Sequence, residues 1–227
     1  MQKHPDQKIQ ELTIGSEGAP LLVIDNVVAD AESLVEAAAA KLFSNASSYY
    51  PGLRSKAPLA YQRYVLEQFN ELFTRVFSLG TRTLNFTSCH FSLMTTPPEK
   101  LAPLQCIPHV DSLDNNELAF VHYLFKKDLG GTAFYRHRKT GFEFVDESRK
   151  EAYFRERERE MLGPDKPPQA YIHGDTALYE QIGRQEARFN RMLIYRRSSL
   201  HSGDLAPGFV PDLDPRSGRL SLNGFLQ

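Results

Sequence analysis

The sequence has almost no net charge: 27 Lys and Arg stand against 28 Asp and Glu, a formal balance of −1. Nucleic-acid binding driven by counterion release needs a basic excess, so no such partner is expected. Long apolar runs are missing too. The longest, Pro20 to Ile24 with Val27 and Val28 soon after, falls far short of the ~20 residues of a membrane span and reads as a buried strand. Met1-Gln2-Lys3-His4-Pro5-Asp6 lacks the apolar core of a signal peptide. Cysteine is scarce, with only Cys89 and Cys106. Two thiols without an export signal point to a reducing cytoplasm and no disulfide framework. Glycine-rich phosphate loops, Cys-x-x-Cys knuckles and G-x-S-x-G elbows are all absent. Cys106 stands close to His109, but Pro108 intervenes and no third partner follows, so a thiol nucleophile is disfavoured.

What is present suits a globular core. Of 227 residues, 41% are hydrophobic, with 15 Phe and 10 Tyr. That length fits one domain, with residues 1–83 supplying an N-terminal strand and bracing helices and residues 84–227 the core. Residues 1–19 are polar and read as loose. Leu21 to Asp25 reads as a strand. Asp30 can cap a helix bearing Leu34, Val35, Ala38, Ala39, Leu42 and Phe43. Residues 44–57 read as a loop, and a second helix is predicted from Leu59 to Leu79 with a stripe of Val65, Phe69, Leu72, Phe73 and Val76. From residue 84 the pattern turns to strands: Phe86 to Met94, Leu118 to Phe125, Gly131 to His137 and residues 191–197. Between them, 146–162 alternates Arg and Glu as a solvated helix does. Asp175 or Thr176 can cap a further helix bearing Leu178, Tyr179, Ile182 and Phe189.

Three short segments carry the chemistry: His109-Val110-Asp111, His201, and Arg219-Leu220-Ser221. Two imidazoles and a carboxylate can hold one face of an octahedral metal and leave the other open, the arrangement of non-haem Fe(II) oxygenases. His-x-Asp alone is weak, and the chain holds a second copy, His173-Gly174-Asp175. The glycine there and the helical pattern after it suggest a turn with Asp175 as cap. His109 and Asp111 instead precede a strand pair, where side chains two apart point the same way. His4, His90, His122 and His137 lack comparable partners and read as packing or surface residues, His122 facing away from Tyr123. On the last strand, Arg219, Ser221 and Asn223 share one face. Polar groups facing into a barrel cost free energy unless a ligand meets them. Arg216 competes, but Asp214-Pro215-Arg216-Ser217-Gly218 looks like a turn.

The chain resembles the Fe(II)/2-oxoglutarate-dependent dioxygenases, in their prolyl 4-hydroxylase-like branch. The resemblance rests on Ile107 to Asp111, on Phe120 to Phe125 running into Gly130 to Tyr135, on Met192 to Tyr195 ending at His201, and on Gly218 to Leu226, in the expected order over residues 84–227. It implies a mainly β fold with flanking helices, a double-stranded β-helix or jelly roll. It further implies Fe(II) held by His109, Asp111 and His201, and 2-oxoglutarate held by Arg219 with Ser221 and Tyr123. Dioxygen would be the second co-substrate and hydroxylation the default outcome, since Asp111 fills the position that related halogenases leave open. Small molecules, amino acids and protein side chains are all candidate substrates. Met94 to Cys106 departs from the tyrosine-rich pattern of prolyl hydroxylases, and the charged stretch 146–168 is an addition; both are expected to border the mouth. A homodimer is left open. The alternatives are a catalytically inactive jelly-roll binding or sensing module, and a zinc-dependent cupin-like enzyme, in which Arg219 would have no task.

Overall fold

The computed structural model describes residues 1–45, 49–164, 166–205 and 207–227. In chain order these form β1 (Lys8–Ile14), β2 (Ala19–Asp25), α1 (Glu32–Ala39), β3 (Gly52–Lys56), α2 (Leu59–Val76), β4 (Phe86–Met94), β5 (Leu118–Tyr123), β6 (Gly131–His137), α3 (Lys150–Leu162), β7 (Tyr179–Glu186), β8 (Arg191–Arg196), β9 (His201–Asp204) and β10 (Leu220–Leu226). Seven strands make one sheet in the order β1-β2-β8-β5-β10-β4-β3, and three make a second, β7-β6-β9. Every pairing is antiparallel. Strands from residues 1–83 therefore hydrogen-bond into the same sheet as strands from 84–227.

Alternation along each strand splits the large sheet into two faces. Leu22, Ile24, Phe91, Leu93, Phe120, Ile194, Leu220 and Leu222 look outward and pack on α1 and α2. The α2 stripe of Tyr61, Tyr64, Val65, Phe69 and Phe73 is buried there, each large side chain contributing about 1.5–3 kcal/mol of transfer free energy. Asp30 Oδ1 accepts the Ser33 N–H at the start of α1, as the sequence suggested. His122 joins this outer layer, as expected of a packing residue. It accepts from the Tyr61 hydroxyl at Nδ1 (2.9 Å) and reaches the Asn190 Oδ1 from Nε2 (3.1 Å). Burial pushes its pKa down to about 4, so it stays neutral.

The other face carries Leu21, Val23, Val121, Tyr123, Leu193 and Tyr195 and meets Phe134 of β6. Two antiparallel sheets thus face each other across one interior, as in a double-stranded β-helix. The charged helix α3 covers the far side of the small sheet. Its one buried residue, Tyr153, packs with Tyr135 and Tyr179, and Glu160 takes the His137 ring at 2.7 Å. After α3, Gln169 and Tyr171 donate to carbonyls of Glu99, Leu101 and Thr96, so the chain just past the charged stretch 146–168 is tied to the Met94–Cys106 segment.

Three sequence expectations fail. Residues 1–19 hold β1, whose seven-residue ladder to β2 needs no apolar pattern because all but Ile14 of its side chains are exposed. The segment 44–57 holds β3. Gly52 lets β3 lie close to β4, since a Cβ there would meet the Leu93 carbonyl. The helix expected after Asp175 is strand β7. Its pairing with β6 shifts between Phe134 and Tyr135, which leaves Ile182 as an extra residue. Tyr179 and Ile182, three apart, lie on opposite faces of β7, Tyr179 in the cluster under α3 and Ile182 against the interior with Phe134; because both faces are covered, apolar residues three apart imitate helical spacing.

Candidate metal centre

The site is assembled by main-chain bonds before any side chain acts. His109 and His201 exchange a pair of backbone hydrogen bonds (2.9 and 3.0 Å), which clamps the segment ahead of β5 to the start of β9. The Asp111 N–H donates to the Arg197 carbonyl at 2.8 Å. The Arg197 guanidinium returns to the Asp111 carbonyl (2.9 Å) and to Glu117 (2.6 Å). Residues 109, 111 and 201 are thereby fixed on three neighbouring backbone positions.

Their side chains converge. One ligand atom from each of His109, Asp111 and His201 lies within 4.8 Å of the others. His201 Nε2 stands 3.4 Å from one Asp111 oxygen, and His109 Nε2 stands 3.7 Å from the other. The Ser199 carbonyl lies 2.9 Å from His201 Nδ1. A carbonyl only accepts, so the proton sits on Nδ1 and Nε2 keeps its lone pair toward the cluster. Tyr195 packs on the His201 ring, with centroids 4.6 Å apart. His201 is 6% exposed at its side chain and His109 is 51% exposed, so the cluster is anchored inside and open on one side.

The charge states suit ligation. Burial alone would raise Asp111, but its bond to His201 and the nearby His109 and Arg197 outweigh it and hold the carboxyl at about 2. Crowding in the mouth, and then the adjacent His201, push His109 well below the usual imidazole range. A carboxylate beside neutral imidazoles is the donor set of the 2-His-1-carboxylate sites. Donors about 2.1 Å from an ion stand roughly 3 Å apart in a facial set, so the present spacing needs only a small closure.

The second copy of the motif goes elsewhere. His173 pairs with Asp204 at 2.7 Å. Asp175 accepts the Gln181 N–H (2.7 Å) and pairs with Arg138 (3.1 Å). The turn expected at Gly174 is present, with φ at 63°; the helix expected after it is not.

Arg219 lies one residue ahead of β10 and is buried, 4% exposed. Its Nε donates to the Leu129 carbonyl at 3.0 Å and its Nη2 to that of Gly131 at 2.7 Å. The same turn needs glycine: Gly130 has φ of 82°, and a Cβ there would run into the Asp204 carbonyl. Phe125 and Tyr123 flank the guanidinium, 5.4 and 6.0 Å from their ring centres. Among the described residues no carboxylate lies within ion-pair distance of it, although 21 such contacts occur elsewhere and Arg216 spends its own on exposed Glu36. Ser221 and Tyr123 are buried directly opposite one another on β10 and β5. Their hydroxyls meet Asn223 Oδ1 (2.6 Å) and Thr132 Oγ1 (2.7 Å).

Two residues near the site escaped the sequence reading. Arg54 lies within β3 and Tyr50 just ahead of it, where a loop was expected. The Arg54-Ser55-Lys56 alternation was the available signal. A cavity of about 360 Å³ borders Arg219, Leu129, Phe209 and Asp212, but none of the three metal-type residues lines it. The donor set, not the cavity, locates the centre.

Fold and site together define a mostly β, double-stranded β-helix protein with a His-x-Asp…His cluster at the rim of its interior. The chain belongs to a family described as one of unknown function, DUF6445, whose profile matches residues 5–226. No curated protein matches it. Among solved structures, it is similar to HygX from Streptomyces hygroscopicus with nickel and 2-oxoglutarate bound, at 11% identity over 91% of this chain and 82% of that one, with a TM-score of 0.50. It is also similar to SnoN, a non-heme alpha ketoglutarate dependent epimerase from nogalamycin biosynthesis, at 13% identity over 91% and 77% of the two chains, with a TM-score of 0.47. At its identity the likeness to HygX bears on the fold alone. Among the described residues no helix is long and apolar enough to cross a membrane.

Proposed function

We propose that the protein is an Fe(II)- and 2-oxoglutarate-dependent oxygenase, with hydroxylation of a small molecule, amino acid or protein side chain as its default reaction. The observation that carries this reading is a pairing within one interior. A 2-His-1-carboxylate donor set stands at its rim, and a buried arginine without an acidic partner lies inside it. A zinc hydrolase or isomerase would account for the first and leave the second unexplained. HygX, similar in fold, carries nickel and 2-oxoglutarate.

His109, Asp111 and His201 would hold the metal, with the Ser199 carbonyl fixing the His201 tautomer. When bound, Fe(II) with 2-oxoglutarate and dioxygen supplies an oxidant able to take hydrogen from an unactivated C–H bond. Arg219 would pair with the far carboxylate of 2-oxoglutarate through the guanidinium edge not used on Leu129 and Gly131. Tyr123 and Ser221 would assist by turning from Thr132 and Asn223. The apolar walls of Val121, Leu193 and Tyr195 exclude water around the bound groups. The two buried, free cysteines fit a reducing, cytoplasmic setting.

The test is release of succinate and uptake of oxygen by the protein with Fe(II) and 2-oxoglutarate, with Asp111→Ala alongside. Slow uncoupled turnover in the wild type and none in the variant supports the reading. Equal rates, or no Fe(II) and 2-oxoglutarate binding by the wild type, overturns it.

A further inference from the structure

A second cationic group faces the same interior and has no acidic partner among the described residues. β3 pairs with β4 so that Arg54 lies opposite Ser92 and Lys56 opposite His90. β4 pairs with β10 so that Ser92 lies opposite Ser221 and His90 opposite Asn223. Cross-strand partners share a face. Arg54, Lys56 and His90 therefore lie on the face that carries Ser221 and Tyr123, the one turned to the small sheet. Burial and then the charges of Arg54 and Lys56 lower His90, as their proximity requires.

Arg54 is not satisfied where it stands. Its guanidinium stacks on the Tyr50 ring at 4.4 Å. Its Nε is buried without a hydrogen-bond partner, and so are the Tyr50 hydroxyl and the Ser92 hydroxyl, the last on a residue with no exposed surface. Among the described residues no carboxylate lies within ion-pair range of Arg54; the nearest influence of that sign is Asp111, whose charge it feels across the mouth. A buried Nε with no hydrogen bond, beside two hydroxyls, those of Tyr50 and Ser92, whose one interaction is a weak one with each other, is costly without a ligand. A guanidinium stacked on its face keeps its edge free for a planar, two-oxygen anion.

We infer that Arg54, with Tyr50 and Ser92 beside it and Lys56 and His90 along the same face, binds a carboxylate of the substrate and so selects acidic substrates. This rests on the oxygenase reading, in which Arg219 is committed to 2-oxoglutarate. Arg54 is then the positioning group for a second carboxylate.

The test uses the Fe(II)- and 2-oxoglutarate-saturated protein without dioxygen, titrated by calorimetry with benzoate and with benzamide, which match in shape and differ in charge. Wild type is expected to bind benzoate at least tenfold more tightly. Arg54→Gln should erase that preference, Arg54→Lys keep part of it, and Lys56→Gln reduce it a few-fold. Folding is checked by circular dichroism and melting temperature; Arg54 makes no side-chain hydrogen bond, so both should be unchanged, and Arg54→Lys serves should the glutamine variant unfold. Equal affinity for the two probes in the wild type, or a benzoate preference that survives in Arg54→Gln, overturns the inference. So does a tenfold loss of 2-oxoglutarate affinity in Arg54→Gln, which would put this residue on the co-substrate. If the wild type takes up neither Fe(II) nor 2-oxoglutarate, the oxygenase reading fails by itself. The same titrations of metal-free wild type, Arg54→Gln and Arg219→Gln then still show whether Arg54 holds the carboxylate.

Discussion

Replacing Arg219 separates co-substrate binding from metal binding. The guanidinium is buried and tied by two hydrogen bonds to the carbonyls of Leu129 and Gly131, with no anion beside it. Under the proposed function, that anion is the far carboxylate of 2-oxoglutarate. Arg219→Ala would leave the carboxylate buried and unpaired, at a cost of about 3–5 kcal/mol for one partner of a buried pair. Each ~1.4 kcal/mol is tenfold, so affinity for 2-oxoglutarate should fall by at least about 100-fold. Iron content should not change, because no residue of the His109, Asp111 and His201 cluster is touched. Arg219→Lys should rescue in part, since an ammonium keeps the charge but cannot present a fork. The assay is anaerobic titration of the Fe(II) protein with 2-oxoglutarate, followed by its charge-transfer absorbance, with metal analysis of each variant. Arg216→Ala is the control: that side chain is spent on exposed Glu36 and should be silent. Weakening by Arg216→Ala but not by Arg219→Ala would refute the assignment. Silence from both would mean that the co-substrate is not 2-oxoglutarate.

Asp111→Ala should abolish Fe(II) retention and succinate release while the protein stays folded, whereas Asp175→Ala should keep both and lose about 1 kcal/mol from a turn contact; metal analysis with a turnover assay decides, and reversed phenotypes would move the centre to the second motif. Asp25 lies opposite Arg191 in the sheet and is gripped by both ends of its guanidinium (2.6 and 3.0 Å), which holds its carboxyl below the usual range. That pair stabilises the fold above the ordinary carboxylate range and is lost as pH falls through the lowered value. Asp25→Asn should therefore cost roughly 1–3 kcal/mol at neutral pH and flatten the acid limb of a urea-denaturation series; an unchanged acid limb would count against the pair. Gly130→Ala should destabilise the turn that supplies the Arg219 acceptors, by strain at positive φ and by the Asp204 carbonyl in its way; a melting temperature equal to wild type would contradict this.

What the sequence revealed follows from which interactions are local. The outward stripe of α2, the alternation of β4, β5 and β8, and the last strand were all readable, because burial on one face writes a period into the chain. The ligand cluster was readable because His109 and Asp111 lie two apart, although their meeting with His201 across a backbone bridge is a long-range fact. Where pairing rather than burial makes the strand, the period vanishes. β1 forms on a ladder with its side chains in solvent. β7 is covered on both faces, so its apolar residues fall at a spacing that looks helical.

β3 shows the consequence for function. Its residues are half-buried, and its place in the sheet depends on Gly52 lying against β4. A segment of Ser, Asn, Pro51 and Gly52 therefore looked like a loop, and Arg54 within it drew no functional reading. Once the register is known, the same arginine falls into line with Ser92, Ser221 and Tyr123 across three neighbouring strands. The interior is then cationic on two sides. Arg219 enters beside the Gly130–Gly131 turn just ahead of β10, and Arg54 stands two strands away on edge strand β3. Two uncompensated guanidinium groups in one interior repel each other and are desolvated, which costs stability in the empty protein. Such an arrangement persists in a folded chain when ligands neutralise it in use. With one dicarboxylic co-substrate assigned to Arg219, the charge left over sets a requirement on the remaining ligand. On the inference drawn above, that ligand brings its own negative group to the face that carries Arg54.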